Sequence, residues 1–131
     1  MKVVDADHVN WRVRDLGASL RFYEDVLGLE PFGLERYRRG ERSFFSVRVS
    51  PAFVMHLRVD PSWDPTLASN QDHLALVVEG VGLKDLKRRL EEAGVKVESE
   101  ARGVIGARGE GEALYVRDPD GHLIELKLYG S

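Results

Sequence analysis

The chain has 131 residues, 43% of them hydrophobic, which is one domain of ordinary size with enough apolar material to bury a core. A net charge of −3 excludes the broad basic surface that nucleic-acid or membrane binding needs, so the expected partners are a small-molecule substrate or a second copy of the chain. Cysteine is absent, which excludes disulfides, thiolate ligation and a cysteine nucleophile and leaves histidine and carboxylate as the strong ligands, a set suited to Mn, Fe, Ni, Co or Zn.

The first residues, Met1 to Asp5, lack an apolar signal core, and no apolar run approaches the ~20 residues of a membrane span. A cytoplasmic protein is expected. From Val3 to Val13 the alternation predicts a strand, and Leu16, Leu20, Tyr23 and Leu27 then fall at helical spacing. Asp15 is placed to cap that helix and Gly28 to end it in a left-handed conformation. Strand-like runs follow over 29–38, 41–49 and 52–59, separated by Arg39-Gly40 and Ser50-Pro51.

A polar stretch with Pro61, Pro65 and Asn70 reads as a connection over about 61–70, between a first module of about 1–60 and a second of about 71–131. The order then begins again: a strand over 72–79, a helix with Leu83, Leu86 and Leu90 inward and Ala93-Gly94 as its stop, and strands near 95–100, 113–117 and 123–129. The glycine-rich segment Gly103 to Gly111 carries Arg102 and Arg108 but no phosphate-loop lysine, and is expected to be a mobile loop. Asp118-Pro119-Asp120-Gly121 is a turn.

His8 opens the first strand of the first half and His73 that of the second, while His56 and Glu125 lie in the last strand of each half. The offset from His8 to His73 (73 − 8 = 65) nearly equals that between the helix-ending glycines (94 − 28 = 66). One such histidine alone is more often a core or surface residue than a ligand. Four candidates in matching positions point instead to a divalent-metal site built from a duplicated fold. Parity agrees: His8, Asn10 and Arg12 share one face opposite Val9, Trp11 and Val13, and His56 shares its face with Arg58, opposite Met55 and Leu57. Glu125 and Lys127 oppose Ile124, Leu126 and Leu128; Tyr115 and Arg117 oppose Leu114 and Val116. Ala75 and Val77 share the His73 face, so that strand is less decisive. A carboxylate among Leu123, Ile124, Leu126 and Leu128 needs a cation or donors, the competing arrangement being a salt bridge to Arg12 or Arg58. His122 falls opposite Glu125, beside the turn, and is expected in solvent. Trp11 and Phe45 are expected in the core.

Asp7-His8 with Arg12 to Leu16, Ser19 to Leu29, Asp72 to Leu76, and Leu114 to Leu126 with its Asp-Pro-Asp-Gly-His turn together resemble the vicinal oxygen chelate superfamily. That superfamily includes glyoxalase I, extradiol dioxygenases, fosfomycin-resistance thiol transferases, methylmalonyl-CoA epimerase and bleomycin-resistance proteins. The resemblance covers essentially the whole chain as a single glyoxalase-like domain. It implies an α+β fold of two tandem βαβββ modules forming a curved, cleft-bearing mixed sheet with helices on the outer face, and a homodimer. It also implies one divalent metal ion per site, with His8, His56, His73 and Glu125 as ligands.

Glyoxalase I-like lyase or isomerase chemistry is favoured by this resemblance, with Glu125 as candidate base, Tyr115 as hydrogen-bond donor, and Arg12, Asn10 and Arg58 as substrate-binding residues. His56 stands where glyoxalase I carries a glutamate, and Asp60 where a neutral amide is expected. An extradiol-type Fe(II) dioxygenase is the alternative, with His8, His73 and Glu125 as its triad and His56 as a fourth ligand or proton carrier. The fosfomycin-resistance transferases share Tyr115 and the Asp-Pro-Asp-Gly-His turn. A bleomycin-resistance-like binding protein is the non-enzymatic alternative, although such relatives lack the ligand set.

Overall fold

Alternation along the first strand decides which of its side chains are buried: in β1 (His8–Val13) Trp11 and Val13 face the core, whereas His8, Asn10 and Arg12 are exposed. The computed structural model describes residue 2, residues 4–67 and residues 71–130. Val3, at the start of the predicted first strand, and Asn70, in the predicted connection, lie outside them. The chain divides into two compact units, Met1–Pro65 and Thr66–Ser131.

In the first unit β1 runs parallel to β4 (Phe53–Val59), with Asn10 opposite His56 and Trp11 opposite Leu57. Antiparallel β3 (Phe44–Ser50) and the short β2 (Glu30–Phe32) extend the sheet in the order β1-β4-β3-β2. Phe45, Val47, Met55 and Leu57 are fully buried. The first helix begins as predicted. Asp15 accepts a 2.8 Å hydrogen bond from Ala18 N and caps α1 (Leu16–Leu20).

From Arg21 to Val26 that helix widens into π-helical turns, with Leu27 N donating to Phe22 O at 3.0 Å. Phe22 and Tyr23 are adjacent in sequence, so a regular α-helix would turn them about 100° apart. Here both are buried, in an edge-to-face pair with ring centres 5.0 Å apart. Gly28 then closes the segment at φ 73°. The run expected as one strand over 29–38 is instead β2 followed by a five-residue helix, α2 (Leu34–Arg38), which packs on β3. Gly33, at φ 75°, makes the break.

The second unit repeats the plan without the extra helix. Its sheet has the order β5-β8-β7-β6, with β5 (Leu74–Val77) parallel to β8 (Leu123–Leu128). Between β5 and β6 (Val97–Gly106), α3 (Leu83–Glu92) buries Leu86 and Leu90 and packs against β6 and β7 (Gly109–Arg117). Gly94 ends it at φ 79°.

The expectation of a mobile loop over Gly103 to Gly111 is corrected: the segment is a β-hairpin, with Val104 paired to Gly111 and Gly106 to Gly109. Its glycines serve close approach as well as turning. A Cβ on Gly111 would lie 2.5 Å from Leu128 O, and one on Gly106 would strike the Tyr129 hydroxyl. Arg102 and Arg108 pair with Glu112 (3.6 Å) and Glu79 (3.5 Å). In the turn before β8, Asp118 Oδ1 accepts from Asp120 N at 2.9 Å and His122 N at 2.8 Å. His122 is half-buried rather than in open solvent. Among the described residues no helix is long and apolar enough to cross a membrane.

Candidate metal centre

The first unit brings two of its predicted ligands together. The rings of His8 and His56 lie 4.6 Å apart, tilted at 48°. Asp7 Oδ2 is 2.6 Å from His8 Nδ1, and Ser46 Oγ is 2.7 Å from His56 Nδ1. A carboxylate accepts, so His8 carries its hydrogen on Nδ1 and presents the lone pair of Nε2. Ser46, on β3 directly opposite His56 and fully buried, occupies the Nδ1 side of that ring.

The His56 pKa lies below the ordinary histidine value, first because burial disfavours the cation and then because of His8, Arg42 and Arg58 nearby, with Asp7 opposing. The imidazole is therefore neutral at pH 7, the form that binds metals or accepts a proton. The Phe44 ring lies 4.8 Å from that of His56, tilted at 53°, with the guanidinium groups of Arg42 and Arg58 at 5.2 Å and 5.6 Å from its centre.

The second unit holds the other pair. His73 Nε2 is 3.0 Å from Glu125 Oε2, and Asp72 Oδ2 is 2.6 Å from His73 Nδ1, the same carboxylate–imidazole arrangement as Asp7 and His8. Asp72 thus engages Nδ1 and leaves Nε2 turned to Glu125. Glu125 is buried on β8, between Ala75 on one neighbouring strand and Tyr115 on the other. Its Oε1 has no hydrogen-bond partner and lies 3.7 Å from Lys127 Nζ.

Tyr115 stands edge-on to His73 at 5.9 Å. Burial, then the charges of Glu125 and Asp72, push its phenol above the ordinary value, so it is a neutral hydroxyl donor at physiological pH.

Among the described residues no group of three or more His, Asp or Glu side chains is gathered in metal-holding geometry; the predicted ligands occur as these two pairs. Each pair by itself has donor chemistry suited to a divalent ion: in the first unit two imidazoles whose Nδ1 atoms are engaged by Asp7 and Ser46, and in the second an imidazole engaged at Nδ1 by Asp72 beside a buried carboxylate oxygen without a donor.

The predicted substrate residues stand beside the first pair. Asn10 is exposed opposite His56; Arg12 meets Asp60 at 3.3 Å, and Arg58 donates to Ser43 Oγ. Ser62, donating through its hydroxyl and backbone, and then Arg12 hold the Asp60 carboxyl below its usual range against a smaller opposing effect of burial. A cavity of about 600 Å³ in the second unit is lined by Val77, Glu79, Arg108, Glu112 and Tyr129 among others, and by none of the candidate residues. Sequence reasoning missed Ser46, whose signal is only its place across the ladder, and the burial of Lys127.

Residues 5–126 match the model of the Glyoxalase/Bleomycin resistance protein/Dioxygenase superfamily. Virulence protein STM3117 of Salmonella typhimurium is 26% identical over 94% of this chain and 83% of its own length. Glutathione transferase FosA of Serratia marcescens is 29% identical over 93% of this chain and 79% of its own. Among solved structures, integron cassette protein VCH_CASS1 from the mobile metagenome of V. cholerae superposes with a TM-score of 0.76 at 27% identity, covering 99% of this chain and 98% of its own.

Proposed function

Because this chain belongs to the glyoxalase/bleomycin resistance protein/dioxygenase superfamily, we propose that it is a metal-dependent enzyme for a small substrate that chelates through two neighbouring oxygens, with lyase or isomerase chemistry of the glyoxalase I type. His8, His56, His73 and Glu125 are the proposed ligands of its divalent ion. The observation that carries this reading is Glu125: its buried Oε1 has no donor, and the nearby Lys127 ammonium stays 3.7 Å away, so the lone pairs of this oxygen are left for a cation.

When bound, the ion supplies Lewis-acid stabilisation of the negative charge that builds on the substrate oxygens. Glu125 is the base that takes a proton from the substrate and returns it. Tyr115 donates its hydroxyl hydrogen to a substrate oxygen, a task its raised pKa suits. Asn10, Arg12 and Arg58 orient the substrate.

A second reading, addition of a thiol to a small electrophile, is favoured by the likeness to a glutathione transferase. The two readings part on one assay: hemithioacetals of glutathione with 2-oxoaldehydes test the isomerase, and glutathione with a small epoxide tests the transferase.

Metal content tests what both share. Protein purified without chelator should hold one first-row divalent ion per site, and His73→Ala should lose it while remaining folded. Full occupancy in that variant would refute the ligand assignment, and a metal-free wild type that takes up no ion on titration would favour a sequestering role.

A further inference from the structure

Lys127 is the most deeply buried charged side chain among those described, 2% exposed on a strand whose other buried charge is Glu125. Burying an ammonium costs several kcal/mol of lost hydration unless partners compensate, on the order described for buried ions generally. A socket is built for it. Its Nζ donates to Val104 O, faces Glu125 Oε1 at 3.7 Å and lies 5.5 Å from the centre of the Tyr129 ring. The glycine-rich hairpin closes over the stem: a Cβ on Gly111 would sit 3.2 Å from Lys127 Cε, and one on Gly106 would sit 3.4 Å from Nζ. The hairpin's glycines therefore make room for a lysine.

We propose that Lys127 is a built-in counter-cation for Glu125 that competes with the metal ion for that carboxylate and so sets the site's affinity. The inference rests on the ligand role of Glu125 proposed above. The ammonium reaches Glu125 at a charge-contact distance, too long for a good hydrogen bond. It thus neutralises the carboxylate while leaving the lone pairs of Oε1 uncommitted. A divalent ion bound at Glu125 then has a fixed positive charge within a few ångströms, in surroundings where water screens poorly. That repulsion weakens binding, and it leaves the bound ion more strongly electron-withdrawing toward its other ligands.

The test is metal affinity on the purified full chain, measured by competition of Zn²⁺ and Co²⁺ against a chromophoric chelator. Lys127→Met keeps the stem and removes the charge; Lys127→Gln also keeps a donor for Val104 O. Both should bind at least about tenfold more tightly than wild type, the least a fixed charge this close should yield. Wild-type binding with unchanged or weaker affinity in both variants would overturn this inference and leave the ligand assignment standing. No binding by any of the three proteins would overturn both. A metal-free double-mutant cycle of Lys127→Met with Glu125→Gln supplies an independent arm: the melting-temperature losses should be strongly non-additive, and additive losses would remove the pairing on which the inference stands.

Discussion

His73 and Glu125 meet at 3.0 Å, Nε2 to Oε2, although His73 precedes β5 and the paired ladder starts only at Leu74 opposite Ile124. The imidazole thus reaches over the start of its own strand to a carboxylate buried in the neighbouring one. Removing it leaves Lys127 as the ion-pair partner of Glu125 among the described residues. His73→Ala should cost the metal-free protein about 1.5–3 kcal/mol in urea unfolding, the range for hydrogen bonds to charged groups. Asp72→Asn, at a side chain 87% exposed, should cost much less.

Ser46→Ala removes the hydroxyl behind His56 without touching a ligand. Outer partners of metal-bound imidazoles fix ring orientation and basicity, so affinity for Zn²⁺ should fall about 10–100-fold. Unchanged affinity would take His56 out of the ligand set and leave it as a proton carrier.

The lowered pKa of His56 makes stability depend on pH. Above the unfolded value of 6.5 both states are neutral there and the contribution is complete. As pH falls below it, the unfolded chain takes up the proton first, and stability drops until the lower folded pKa is passed. Metal-free wild type should therefore lose more melting temperature between pH 7.5 and 5 than His56→Gln, and equal losses would contradict the assigned environment.

Tyr115 should ionise above the ordinary tyrosine range. In a spectrophotometric titration, wild type minus Tyr115→Phe should leave one phenol with a midpoint above 10. Glu125→Gln, which removes the stronger of the two carboxylate influences, should bring that midpoint down.

Gly111→Ala tests the hairpin. The added methyl would press on Leu128 O, which is backbone and cannot swing away. Overpacking of this kind costs about 1–3 kcal/mol. Gly103→Ala should also destabilise, for a different reason: nothing crowds its Cβ, but φ is 67°.

Features governed by a short stretch of chain were legible in the sequence. Alternation placed Trp11 and Val13 inside and His8, Asn10 and Arg12 outside, and Asp15, Gly28 and Gly94 marked helix ends. The equivalent places of His8 and His73 were also legible, because the order of strands repeats in the two units. What long-range contacts decide was not. A five-residue helix at Leu34–Arg38 is too short to display a period, and glycines that usually mark loops here admit Lys127 and Tyr129 beside a hairpin. Ser46 gains its place beside His56 only through the β3–β4 register, and a lysine's burial at position 127 contradicts the ordinary behaviour of its type.

The π-helical stretch from Arg21 to Val26 bears on how this chain tolerates deletion. Each such turn houses one residue more than a regular helix, so removing a single residue there would let the backbone relax to the ordinary pitch with its ladder intact. The shortened helix would then have to surrender either Phe22 or Tyr23 to water. Single-residue losses in this stretch should thus be punished through an evicted aromatic ring, while their neighbours on the solvent side, Glu24 and Asp25, remain free to vary in kind.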